Sequence, residues 1–301
     1  ETALDQTPGL NILDGEPQIR GGSGFTFGVG SKVAVIVDDM PMLSGDAGRP
    51  EWGFIPVENI HQIEVTKGAA SVLSGSSALS GAIHIRTAYP KLKPKTKVNV
   101  YSGFYSKPSI EGSDWWSGTP LISGANFLHS RRIKNLDLVL GGNVNYDHGY
   151  IGPPLTDSLV VEDTLSNFTE EQMASKRVRI NFNIRYRSKK FKGLNYGVNG
   201  NAMYAQSNLS FAWLNDSSGL YQSYPGAVFL QNQTIFHIDP FLNFFTQTDG
   251  KHHFRMRYLY ANNEMTAGQS NQSTTTYGDY MFKKSYPNLK DFDFVGGLTG
   301  I

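Results

Sequence analysis

The sequence predicts a small mixed α/β domain followed by an antiparallel β-barrel of the membrane type. Three observations carry that expectation: the grammar of the chain changes near residue 90, long stretches beyond it alternate strictly between apolar and polar residues, and the connections between those stretches alternate between short and long. The 301 residues hold 39% hydrophobic and 18% charged side chains with 32 glycines, and no run approaches the ~20 apolar residues of a membrane helix. A barrel escapes that test, because only alternate residues of each strand face lipid.

Residues 1–89 read as the α/β unit. Ala3 to Gln6 looks like a helix end stopped by Pro8-Gly9, residues 33–38 and 60–65 are short buried strands, residues 69–73 could make one or two helical turns, and residues 81–86 give a last strand. Glycine and serine fill the joints, and residues 90–95, Pro-Lys-Leu-Lys-Pro-Lys, have the composition of a linker.

From residue 96 to 301 the period is two. Val178, Ile180, Phe182, Ile184 and Tyr186 share one face, against Arg177, Arg179, Asn181, Asn183, Arg185 and Arg187 on the other. Leu136, Leu138, Leu140, Val144 and Tyr146 oppose Asp137, Asn143, Asn145 and Asp147, while Tyr196, Val198, Ala202 and Tyr204 oppose Asn195, Asn199 and Asn201. With residues 98–105, 125–130, 236–245, 254–260 and 291–299 this makes about eight strands of membrane-crossing length. Short joints are expected at residues 133–135, 189–193 and 248–251, and long ones at 106–123, 149–176, 215–231 and 266–277. Short turns on one side and long loops on the other describe a membrane barrel, and Tyr101, Tyr105, Tyr146, Tyr186, Tyr196 and Tyr260 suit its interfacial girdles. Alternating strands also build soluble sandwiches, but strands of this length with arginine and asparagine opposite aromatics are unusual there.

A net charge of +1 with scattered basic residues leaves no nucleic-acid footprint. The absence of cysteine excludes a disulfide framework, a thiolate zinc site and a cysteine nucleophile. Gly22-Ser23-Gly24 followed by Phe27 breaks the dinucleotide pattern, Lys67-Gly68 reverses the phosphate-loop order, and His252-His253 lacks the spacing of a metal pair. No cluster of serine, histidine and acid suggests an outer-membrane enzyme, and neither a catalytic residue, a metal nor a cofactor is expected.

Five segments, in order, resemble the plug domain of TonB-dependent receptors. Residues 3–10, ending Thr7-Pro8-Gly9-Leu10, look like the opening helix and its "TPGV" end; Ile19-Arg20-Gly21-Gly22 looks like the "IRG" element. Val35-Ile36-Val37-Asp38-Asp39-Met40-Pro41 resembles "VLIDGVP", with Asp39 where glycine is usual; residues 57–75 are similar to "IERIEVLRGPASALYG", and residues 80–87 to "GGVINIITK". Lysine for arginine at Lys67 resembles receptors of the Bacteroidota, although the "DASAAAIYGSRAANG" form of their sugar importers is missing.

The resemblance implies a plug held inside a large antiparallel transmembrane barrel of about 22 strands in the bacterial outer membrane, with the plug facing the periplasm and the lumen. It implies energy-coupled import of a siderophore, cobalamin, oligosaccharide or peptide. TonB and its inner-membrane motor complex, outer-membrane lipid and, in some relatives, a surface lipoprotein or other outer-membrane subunits are the implied partners. The alternative is a receptor-like barrel serving as a scaffold subunit of a larger outer-membrane complex. The polar strand faces would wet the lumen and contact the plug. Arg20 and Lys67 match two basic plug residues that pair with barrel glutamates, which here would lie beyond Ile301. The outward plug loops match residues 22–30 and 42–52, making Phe25, Phe27, Asp46, Arg49 and Trp52 ligand-contact candidates, with Trp115, Trp116 and Trp213 in or near the outer loops. Loop packing or girdle anchoring explains each tryptophan equally well. About eight strands closed on themselves would leave no room for a plug. The chain is therefore expected to be a fragment, lacking its energy-coupling segment and its last strands.

Overall fold

The computed structural model describes residues 4, 6–13, 16–20, 32–42, 48, 50–68, 79–110, 114–152, 169–217, 220–224, 227–286 and 292–301. Near the N-terminus β1 (Leu10–Leu13) and β2 (Glu16–Ile19) form an antiparallel hairpin that the sequence reading does not anticipate. Four further strands, β3 (Val33–Val37), β4 (Met40–Pro41), β5 (Ile60–Lys67) and β6 (Gly81–Thr87), make a sheet in the order β4-β3-β6-β5. The β3 and β6 strands run parallel, and the other pairs are antiparallel. A strand flanked on both edges and covered on both faces has to be apolar throughout, and Val33 to Val37 is buried at every position. Asp38 and Asp39 join β3 to β4 at φ 52° and 65°. A two-residue turn of this hand needs the left-handed conformation at both positions, and aspartate tolerates it.

The remaining strands form one open antiparallel sheet of nine, in strictly sequential order from β7 to β15. They are β7 (Lys95–Phe104), β8 (Leu121–Ile133), β9 (Leu136–Asp147), β10 (Ser175–Arg187), β11 (Leu194–Ser210), β12 (Val228–Phe245), β13 (Gly250–Met265), β14 (Asn271–Tyr286) and β15 (Phe292–Gly300). Two-residue and six-residue joints at 134–135 and 188–193 and a four-residue joint at 246–249 lie at one end of this wall. The connections at 105–120, 148–174 and 211–227 lie at the other. The expected long connection over 266–277 is overturned: Thr266–Gly268 is a single 3-10 turn, and β14 pairs with β13 from Asn271 onward. The run from Gln272 to Thr276 has no apolar alternation to reveal it, yet threonine is β-branched and fits a pleated ladder.

Burial in the wall is inverted relative to a soluble sheet. On β10, Ile180 is 61% exposed while its neighbours Arg179 and Asn181 are 3% and 2% exposed. The same split puts Val98, Val100, Leu140, Val144 and Val178 outward and Asp137, Asn143, Asn199, Asn201, Asp239 and Arg257 inward. Apolar side chains can face outward only if the outer medium is itself apolar, which identifies lipid as the solvent of that face. Tyr186 and Tyr196 meet across β10 and β11 on it, tilted at 50° with ring centroids 5.6 Å apart. Phe182 leans over Gly200 of β11, where a Cβ would come within 2.4 Å of its ring. Two of the expected girdle tyrosines are corrected: Tyr101 and Tyr105 turn inward, where the Tyr101 hydroxyl accepts from Asn145 at 2.9 Å and that of Tyr105 donates to Asp147 at 3.0 Å.

The inner face is not uniformly polar, as the sequence reading expects. Met203, Ile235, Leu259 and Ala261 from β11, β12 and β13 join Leu10, Ile19, Val33, Val35, Val37, Phe54, Ile83 and Ile85 in one core. One hydrophobic cluster therefore straddles the small sheet and the wall and seats one on the other.

Placing a charge on the outer face separates this arrangement from a soluble one. Ile180→Arg is expected to destabilise the wall in a lipid bilayer by about 2–4 kcal/mol, read from reversible unfolding titrations in vesicles, whereas Ile180→Leu stays within about 1.5 kcal/mol of the parent.

Candidate functional site

The seam between the small domain and the wall is built around Glu58. It lies in a 3-10 turn, Val57–Asn59, that follows a second one at Trp52–Phe54 and precedes β5. Its carboxylate pairs with Arg179 through one oxygen and accepts from the Asn181 amide through the other. Arg179 also donates to the Gly53 carbonyl at 2.8 Å and to that of Ile55, while Asn201 donates to the carbonyl of Phe54. Three neighbouring lumen-facing side chains, two on β10 and one on β11, thus engage this segment, Arg179 and Asn201 bonding carbonyls that lie outside any ladder and Asn181 the Glu58 carboxylate. The side chains of Arg179 and Glu58 are 1% and 5% exposed. A charge pair removed from water to that extent holds only when both members are present.

Two further contacts fix the β3–β4 turn. Arg257 donates from Nε and Nη2 to the two Asp239 oxygens at 2.8 and 2.5 Å, a forked pair between adjacent strands. Its remaining Nη1 donates to the carbonyls of Pro41 at 2.5 Å and Met40 at 3.3 Å. Asp39 pairs with Arg255 of β13 at 3.0 Å and with Arg86 at 3.2 Å. The Asp38 carboxylate accepts from the Thr87 amide at 2.8 Å and its hydroxyl at 2.7 Å; burial pushes this carboxyl up from its ordinary range, and the two Thr87 bonds oppose that rise.

At the short-turn end Asp137, fully buried, accepts from Arg132, Arg185 and Arg187. Arg132 reaches on to the Pro90 carbonyl at 3.3 Å, and the Arg185 guanidinium lies 3.7 Å over the Tyr89 ring. Burial, with repulsion from Asp38, pushes the Tyr89 phenol up to about 12, so it stays neutral beside the cation. This cluster holds the point where the small domain passes into the wall.

At the long-loop end the first three connections interlock. The Trp115 indole donates to the Leu220 carbonyl at 2.9 Å, Gly152 bridges to Gln222, and Trp213 bridges to Ser223. Helix α1 (Glu170–Met173) is closed by a capping box at Thr169, and its glutamates tie the loops: Glu170 accepts from the Ser117 hydroxyl at 3.0 Å and Glu171 from Tyr146 at 2.8 Å. Bonds from Lys176 and Tyr146 hold the Glu171 carboxyl below its usual range. His148 accepts the Leu121 amide at Nδ1, 2.8 Å away, and its ring lies 4.6 Å from that of Trp116. A Cβ at Gly152 would come within 2.4 Å of the Trp115 Cβ, so glycine is required for the indole to sit there. Below these contacts opens a cavity of about 500 Å3 lined by Trp115, Trp116, Tyr105, Tyr150 and Tyr221.

Phe25, Phe27, Asp46 and Arg49 lie outside the described residues. Trp52 is half-buried and packs against the shared core. Trp115 and Trp116 line the cavity together, and the Trp213 ring stands 6.0 Å from that of Tyr221 behind it. Arg20 is exposed at φ 54° after β2, and Lys67 donates to the Pro8 carbonyl at 2.5 Å. The contacts that do join the two parts, Glu58 to Arg179 and Asp39 to Arg255, escape the sequence reading, although the alternation on β10 already put Arg179 on the lumen face. His252 and His253 diverge, toward Tyr280 at 2.9 Å and Asn243 at 2.7 Å. Among the described residues no group of three or more histidines and acids is placed to hold a metal.

Comparison with known proteins agrees with this geometry. Residues 1–82 match the family model of the TonB-dependent Receptor Plug Domain. The vitamin B12 transporter BtuB of Vibrio vulnificus strain YJ016 is 36% identical over 110 residues, which are 33% of this chain and 18% of that protein. The BtuB of strain CMCP6 is 27% identical over 100 residues, 33% of this chain and 16% of that protein. Among solved structures, the ferric yersiniabactin uptake receptor FyuA of Yersinia pestis superposes with a TM-score of 0.66 at 16% identity, covering 98% of this chain and 44% of that receptor. The siderophore receptor PirA of Pseudomonas aeruginosa gives 0.61 at 15% identity, covering 98% and 42%. The chain spans less than half the length of these receptors and under a fifth of the two transporters.

Removing one member of the central pair should expose its energetics. Glu58→Ala is expected to cost about 3–5 kcal/mol by leaving Arg179 buried and unpaired, seen as faster amide hydrogen exchange over residues 52–60, and Arg179→Met added to it restores most of the protection.

Proposed function

We propose that this chain, which belongs to the TonB-dependent receptors, works in the bacterial outer membrane as an energy-coupled importer of a small solute. The observation that carries the reading is the seam itself: a folded plug is held against the polar inner face of a lipid-facing wall by side chains directed at its turns. A plug so held blocks the lumen, and a solute passes only if the plug moves or rearranges. Affinity for a solute cannot drive such movement in one direction, so work has to be supplied from the periplasmic side, where a TonB-type partner and its motor complex would act on the plug. The long-loop end, with its cavity, then faces the outside, and the plug's N-terminal segment faces the periplasm. The relatives named as vitamin B12 transporters and siderophore receptors point to solutes of that scale. Nothing in this scheme calls for a catalytic group, and the relatives are transporters and receptors.

Uptake by cells carrying the complete receptor tests the reading. Accumulation of labelled solutes, beginning with cobalamin and ferric siderophores, is expected to stop when TonB is deleted or the proton gradient is collapsed, while surface binding persists. Uptake that continues undiminished without energy coupling would overturn it.

A further inference from the structure

We infer that the cavity under the first three outer loops is a binding site for an uncharged ring with oxygen atoms at its rim, of pyranose or phenolic type. The inference rests on the importer reading for its direction but not for its chemistry. Three loops distant in sequence send aromatic rings to one place: Trp115 and Trp116 from the first, Tyr150 from the second and Tyr221 from the third. Tyr150 stands edge-on to Tyr221 at 5.2 Å and tilted to Tyr105 at 6.2 Å. Such faces bind flat apolar surfaces, and the volume of about 500 Å3 is that of a small-molecule pocket.

Charge decides the class. The ionised side chains among the described lining residues are Lys107 and Asp114, and they pair with each other at 3.4 Å. The nearby carboxylates are engaged as well: Glu170 by Ser117, Glu171 by Lys176 and Tyr146, and Asp147 by Tyr105. Burial and the bond to Asp147 push the Tyr105 phenol up to about 12, so it too is neutral. An anion entering this cavity would lose water without gaining a free cation, whereas an uncharged ring meets no such cost. The indole N–H of Trp116 is enclosed and has no acceptor among the described residues. A ligand carrying rim oxygens could supply one after a small turn of the ring, which a plain hydrocarbon could not.

The site is also shaped in advance. Trp115 is held by its bond to Leu220 and by its seat on Gly152, so little ordering remains for a ligand to impose.

The test uses the full-length receptor in detergent, titrated by calorimetry and tryptophan fluorescence with maltotriose, catechol and the trianionic ferric tris-catecholate complex. Binding of maltotriose identifies a saccharide ring and binding of catechol a phenolic one. In either case Trp115→Ala is expected to weaken binding about tenfold, Tyr150→Phe to preserve it, and added salt to leave it unchanged. Preferential, salt-sensitive binding of the ferric complex, or binding by neither neutral probe, overturns the inference. Hydrogen exchange over the wall strands confirms that Trp115→Ala remains folded. Energy-dependent uptake of a solute untouched by Trp115→Ala overturns the site and leaves the importer standing, while probe binding at this site with energy-independent uptake does the reverse.

Discussion

The structure depends on one constraint: in lipid, every backbone polar group of the wall has to find its partner within the sheet, and every polar side chain has to find its partner inside. Strand pairing meets the first half between neighbouring strands from β7 to β15, and the outer edges of β7 and β15 are where the described sheet stays open. Meeting the second half requires an interior able to receive arginines and asparagines, because burying them unpaired is costly. The plug provides that interior. Its irregular turns at 52–59 carry carbonyls outside any ladder that Arg179 and Asn201 bond, and Arg257 bonds the carbonyl of Pro41 in the short edge strand β4. The irregularity of the plug and the polarity of the wall are two sides of one pairing.

That complementarity explains what could be read from the chain and what could not. A period of two is local, so the alternation of Ile180 with Arg179 and Asn181 gave away both the strand and its two faces. The inner face of β11 was legible in the same way through Asn195, Asn199 and Asn201. By contrast Glu58 and Arg179 lie 121 positions apart. Nothing near either residue marks the other, so their pairing is a product of topology. β14 was missed because its run from Gln272 to Thr276 is polar on both faces, leaving no alternation to detect. The apolar patch of Met203, Ile235, Leu259 and Ala261 was missed for the opposite reason: it breaks the polar rule of the inner face where the plug core lies against it.

The candidate ligand contacts divide along the same line. Trp115 and Trp116 stood out as adjacent aromatics in a long loop, which composition alone displays. Their convergence with Tyr150 and Tyr221 depends on a bridge between loops, Gly152 to Gln222, and one within the third, Trp213 to Ser223, that involve no motif. Asp39 is a middle case. The family pattern has glycine there, and the departure was visible, but its consequence, an ion pair with Arg255, needed the wall to be in place.

A plug held in one register against a wall needs an interface of a particular kind. Apolar burial alone resists separation in proportion to area and gives little registry, since a greasy surface can slide. The seam here joins a modest shared core to a set of directional bonds, many from a side chain to a carbonyl. A well-made bond of this sort adds only about 1 kcal/mol net, because water replaces it when it opens, while a wrongly registered one leaves a buried group unmatched. The pair of Glu58 and Arg179 follows the same logic more strongly: desolvation offsets much of its attraction, yet separating the partners inside a dry seam is strongly opposed. Such an interface fixes one position of the plug against the wall, because any other register leaves buried groups unmatched. The shared core supplies the area of the contact, and the side chains directed at the plug's turns supply its registry.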